Sequence, residues 1–228
     1  GVGDLLQREV GDLDPQVLEQ AIVTNFADWQ ASGPAPTEPD FGTPQADEPQ
    51  TRVIVEPTQP LVVHLATIRP WHRVTDSIAY SQGLMLQSLA QLIINRQLEE
   101  HARSGARYLA AQVTQDKPSR SADITDIAVV PLDGNWREAA EDARAVIASV
   151  RATPPTQAAI DREYADIETF LARELANAQN EPGTKQAEDL LNAVDIGETT
   201  TSPDHGLEIW RSIKPLATPE HMQQVIAE

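Results

Sequence analysis

The chain has 228 residues, 40% of them hydrophobic, with no cysteine and a formal charge of −18 at pH 7. That length allows one large or two small domains, and the acidity argues against nucleic acid, whose phosphates repel such a surface. Without cysteine there is no disulfide and no thiol chemistry, and no apolar run approaches the ~20 residues of a membrane span.

Gly1-Val2-Gly3-Asp4 lacks the basic and apolar regions of a signal peptide, as if the chain were cut from something longer. Asp14-Pro15 reads as a helix start, with Asp as N-cap and Pro at the first helical position. Val17, Leu18, Ala21, Ile22, Phe26 and Trp29 follow at helical spacing and predict a helix over 15–30. Residues 31–51 are proline-rich and almost devoid of apolar side chains, the composition of a linker.

Two strands are predicted next, over 52–56 and 61–68, with 57–60 as the turn between them and Pro70 ending the second. Thr75 or Asp76 is the expected cap of a long helix reaching about Ala102, stopped by Ser104-Gly105. Strands over 108–114 and 121–130 flank a turn at 116–119. Helices over 136–150, 156–178, 185–193, 203–212 and from 219 onward complete the chain. The order β-β-α-β-β-α followed by helices predicts an α+β fold, an antiparallel sheet packed with helices on one face.

The chemistry-bearing residue types form no catalytic pattern. A zinc peptidase needs two histidines one helical turn apart, a third ligand and a glutamate base. The histidines are His64, His72, His101, His205 and His221, and none lies four residues from another. His205-Gly206-Leu207-Glu208 is a fragment of such a motif, with Ile209 where the second histidine belongs. His64 reads as a satisfied core residue of an apolar strand, and His72 as a loop residue. There is no Gly-x-Ser-x-Gly elbow and no phosphate-binding glycine loop. The acidic pairs Glu99/Glu100, Glu141/Asp142 and Glu188/Asp189 read as solvated helix faces. Arg96 suits the C-terminal end of its helix, and Tyr108 is expected to pack on the sheet with its hydroxyl at the rim.

One segment carries more. Residues 84–108, LMLQSLAQLIINRQLEEHARSGARY, run an apolar helix into Asn95-Arg96-Gln97-Leu98-Glu99-Glu100. A glycine turn and a strand opened by Tyr108 follow. This order resembles the non-catalytic domains of the insulinase/pitrilysin family, zinc metallopeptidases of the mitochondrial-processing-peptidase type with an inverted His-x-x-Glu-His motif. Val10-Gly11-Asp12-Leu13-Asp14-Pro15 and the later Phe26-Ala27-Asp28-Trp29 resemble the close of a preceding family domain. The segment 33–49, with Pro39-Asp40-Phe41-Gly42, resembles the inter-domain connection, and Asp161-Arg162-Glu163 and Thr201-Ser202-Pro203 resemble late features of the second domain.

The resemblance implies three parts: residues 1–30 closing a preceding domain, 31–51 as linker and 52–228 as a non-catalytic α+β domain. It implies no catalytic and no metal-binding residue here, with zinc held by the catalytic domain of a longer protein. The chain would then be a wall of a peptide-enclosing chamber, its partners the catalytic domain and the other half of the same peptidase. Arg103 and Tyr108 match the positions at which the family holds the substrate backbone, which makes them the expected substrate-binding residues. Bacterial members of this type are often exported, so a periplasmic location is expected. The alternative is a stand-alone inactive partner or assembly subunit related to the family.

Overall fold

The computed structural model describes residues 14–30, 33–34, 37, 39–45 and 48–227. The sequence feature at Val10 to Leu13 lies outside them. Helix α1, Pro15–Phe26, starts as expected: the Asp14 carboxylate accepts from the Gln16 N–H at 2.8 Å. It ends at Phe26 rather than Gln30. There a turn brings the Trp29 N–H to the Phe26 carbonyl and sets the two rings edge to face at 4.8 Å. None of its residues is buried. In the proline-rich segment, the Phe41 ring lies under the Arg120 guanidinium at 5.0 Å.

The strand expected over 52–56 does not form. Val53, Ile54 and Val55 are 85%, 88% and 82% exposed, and the stretch pairs with no strand. Their β-branched side chains favour a strand, but among the described residues they pair with none, and the outer edge of β1 stays open. The sheet therefore has three strands: β1 Val63–Pro70, β2 Tyr108–Asp116 and β3 Ala122–Pro131. Their order is β1-β3-β2, antiparallel throughout, with Val63 opposite Val129 and Val113 opposite Ile127. The strands β1 and β2 are joined by helix α2, Ile78–Arg103, and β3 returns between them as a split β-α-β unit.

Alternation decides which side chains reach the core. Val63, Val113, Ile127 and Val129 share the face that packs against helices. His64, Ala66 and Ile68 point to the opposite face and are exposed. This corrects the core reading of His64: it sits one register step off the buried face, its Nδ1 2.8 Å from Asp126.

Helix α2 is the central helix, burying Leu86, Leu89, Ala90, Ile93, Ile94 and Leu98. One side lies on the sheet with α3, Trp136–Ala152. The other meets α4 Gln157–Asn177, α6 Pro203–Ser212 and α7 Pro219–Ala227. Helix α5, Gly183–Ile196, lies further out, tied to the β2–β3 turn by the Asp195–Arg120 pair at 3.2 Å. The cap of α2 is Ser77, not Thr75 or Asp76: its hydroxyl accepts from the Tyr80 N–H at 3.2 Å. Asp76 instead accepts from the Thr199 N–H at 2.9 Å and so fastens the segment after α5.

Candidate functional site

The corner where α2 passes into β2 holds the residues singled out by the sequence. Gly105, at φ +105°, reverses the chain in a conformation that a side chain would strain. Upstream, Asn95 grips the β2 backbone from both sides of one residue. Its amide donates to the Val113 carbonyl at 3.0 Å, and its carbonyl oxygen accepts the Val113 N–H at 2.7 Å. Gln91 adds a second donor to the same carbonyl at 2.8 Å. These side chains satisfy the Val113 backbone groups at the outer edge of β2.

Tyr108 is 1% exposed, and its hydroxyl donates to the Leu98 carbonyl at 3.0 Å. The hydroxyl is therefore inside the α2–β2 contact and not at the rim. Burial, with the nearby Asp142 charge adding to it, pushes the phenol pKa up to about 12. Tyr108→Phe should cost about 1 kcal/mol of stability in urea unfolding, the worth of one neutral hydrogen bond. Arg103 lies at the surface and donates to Glu99 one turn earlier.

Asp142, on α3, closes the corner. It accepts the Arg107 N–H at 2.8 Å on one oxygen and lies 2.9 Å from His101 Nε2 on the other. Burial raises its pKa, but the Arg107 amide and the His101 hydrogen bond outweigh burial, and the net shift is downward. A lowered folded pKa stabilises above the unfolded value, and that stability is lost as pH falls through the folded one. Urea unfolding between pH 3 and 6 should therefore show the wild type losing stability below about pH 4, and Asp142→Asn should flatten that loss. The sequence reading had Asp142 as solvated. The signal was its place beside Ala139, Ala140 and Ala143, which are all buried.

Behind the corner lies an ionic cluster. Glu163 is buried at 3% exposure and accepts from Arg96 Nε at 2.9 Å and Arg162 Nε at 3.1 Å. Arg96 also reaches Glu99 at 3.2 Å and Asp166 at 3.5 Å. The hydrogen bond and charge of Glu163 raise the Arg96 pKa further, so the guanidinium stays charged. Sequence reasoning placed Arg96 on its own helix end, whereas its main partner is on α4. Glu163 was detectable as an acid three residues after Ile160 and four before Ile167, on the apolar stripe of α4.

The five histidines stay apart. His64 pairs with Asp126, His101 with Asp142, and His205 lies 3.4 Å from Glu208 on the exposed face of α6. His221 Nδ1 lies 2.8 Å from the Leu216 carbonyl. His72 lines a cleft of about 420 Å³ with Trp71, Asp76, Tyr80, Lys117 and Glu198. Among the described residues no group of three or more His, Cys, Asp or Glu could hold a metal ion, so the donors present do not fit zinc. No described helix is long and apolar enough to cross a membrane.

Comparison with known proteins places this corner in context. Residues 10–166 match the family described as the peptidase M16 inactive domain. No curated protein matches the sequence. Among solved structures, the periplasmic protease PqqL from Escherichia coli superposes with a TM-score of 0.76 at 14% identity, over 94% of this chain and 24% of PqqL. The first half of PqqL gives 0.74 at 13% identity, over 94% of this chain and 46% of that one. A predicted insulinase family protease from Yersinia pestis gives 0.71 at 14% identity, over 95% and 47%. A mutant of the ferredoxin protease FusC, in complex with Arabidopsis ferredoxin, gives 0.61 at 14% identity, over 95% and 25%. The chain thus spans about a quarter of the length of full-length PqqL.

Proposed function

The chain belongs to the peptidase M16 family through its inactive domain, and from that premise we propose that it walls the substrate chamber of a zinc-dependent endopeptidase without performing the chemistry. The match over residues 10–166 carries the reading. Zinc, when bound by the catalytic domain, supplies the activated water that cuts the peptide bond. This chain's residues present a rigid surface, built on the doubly covered α2, against which that domain and the other half of the peptidase close. On this reading residues 1–30 end a preceding domain, 31–51 connect and 52–228 form the non-catalytic domain. An exported location belongs to the same proposal, since PqqL is a periplasmic protease.

Arg103 and Tyr108 enter the proposal with different roles. Arg103 is open to a peptide carbonyl or carboxylate. Tyr108 is enclosed and acts on substrate only by holding the corner that presents Arg103. The test is peptide hydrolysis by the zinc-bearing domain with and without this chain. Hydrolysis that rises on its addition supports the reading, and a rate unchanged in a complex that forms contradicts it. The other reading, a stand-alone inactive partner, is favoured if the full reading frame contains no His-x-x-Glu-His.

A further inference from the structure

The cleft that His72 lines is walled by four segments distant in sequence. They are the connection from β1 to α2, the first turns of α2, the β2–β3 turn at Lys117 and the end of α5. Asp76 accepts the Thr199 N–H at 2.9 Å and so ties the chain after α5 to the start of α2. Gly197 ends α5 at φ +73°, with the Arg73 guanidinium packed over it. At about 420 Å³ the cleft falls in the range of small-ligand sites, roughly 300–1,000 Å³.

Its lining combines apolar surface with a few uncommitted polar groups. Trp71, Tyr80 and Leu84 are partly buried and supply the apolar floor. Two of the lining carboxylates are already engaged. Asp76 accepts from Thr199 and from the Ser81 hydroxyl at 3.4 Å, and Asp123 pairs with Arg69 at 3.1 Å. The Glu198 carboxylate has no partner among the described residues. Lys117 is the one Lys or Arg among the described lining residues, and its ammonium donates to the Tyr80 hydroxyl oxygen at 3.4 Å. An ammonium has three N–H donors, and the Tyr80 O–H keeps its own proton to give, so this pair has donors left for an anion.

A ligand matching this set carries an anionic group, an apolar body beside it and an N–H donor. The last residue of a peptide holds all three, as its α-carboxylate, its side chain and its amide N–H. We propose that the cleft binds the C-terminal residue of a peptide ending in an apolar side chain. The carboxylate meets Lys117 and Tyr80, the side chain lies on Trp71 and Leu84, and the N–H donates to Glu198. An internal peptide residue has no carboxylate for Lys117. A peptide N-terminus would suit Glu198 but leave Lys117 and Tyr80 unmatched. The site stands on the chemistry of the cleft alone, whether or not the chain walls a peptidase chamber.

Calorimetric titration with N-acetyl-alanyl-alanyl-phenylalanine tests the proposal. The free acid should bind one-to-one with a Kd below one millimolar, and its C-terminal amide about tenfold or more weakly, the worth of a hydrogen bond to a charged group. Lys117→Met, at an exposed position, should bring the acid down to the level of the amide and leave the amide unchanged. Trp71→Ala should weaken both. No saturable binding of the acid overturns the proposal, as does equal binding of acid and amide to the wild type. So does a preference for the acid that survives in Lys117→Met. Free phenylalanine binding as tightly as the tripeptide would assign the cleft to an amino acid and overturn the peptide reading.

Discussion

Arg96→Met will destabilise the fold by about 3 kcal/mol, because it leaves the buried Glu163 carboxylate with Arg162 as its remaining partner among the described residues. Glu163 sits among apolar neighbours on α4, while Arg96 reaches it from α2, so the pair joins the central helix to the outer layer. Removing one member of such a pair exposes the desolvation cost that the other was offsetting. Removing both is a different matter: Arg96→Met with Glu163→Met should recover most of the lost stability, since apolar side chains of similar volume avoid that cost. Urea unfolding of the two single variants and the double variant measures the coupling directly. A double-variant loss equal to the sum of the two single losses would mean that the two side chains are not coupled and the pair contributes little.

Trp210→Ala should have the larger effect of the two, about 4 kcal/mol, or roughly 12 °C in thermal midpoint for a chain of this size. Trp210 is 1% exposed and stacks on Tyr164 at 5.0 Å with the planes 23° apart. It fills the junction of α4, α6 and α2, where truncation leaves a cavity rather than a surface dent. Its Nε1–H has no hydrogen-bond partner among the described residues. Trp210→Phe therefore keeps most of the packing without losing a hydrogen bond, and should cost about 1–2 kcal/mol. A loss for the phenylalanine variant as large as for alanine would show that the indole N–H is satisfied after all.

Much of this architecture was legible before any coordinates. Helix α6 runs over Pro203–Ser212 as predicted, because proline starts it and Leu207, Ile209 and Trp210 form its buried face. The strands β2 and β3 were visible as runs over 108–114 and 121–130 on either side of a proline turn. The errors have a common physical origin: periodicity reports what a segment could bury, not whether a partner is there. Residues 52–56 have strand propensity but pair with no strand among the described residues. His64 lies in an apolar strand but one step off the inward register. Asp142 and Glu163 are acids on apolar helix faces, where partners from α2 and the corner backbone, distant in sequence, make burial tolerable. The resemblance in residues 84–108 survived, but its meaning moved. Asn95 and Tyr108 fasten α2 to β2, while Arg103 and Arg107 are open to solvent.

The central claim is that this M16 domain contributes structure and leaves the metal chemistry to another domain. Calorimetric titration of the chain with zinc tests it most directly. The account predicts no stoichiometric site of sub-micromolar affinity, since the described donors are dispersed among separate partners. A one-to-one zinc site of that strength, lost on His205→Ala, would contradict it.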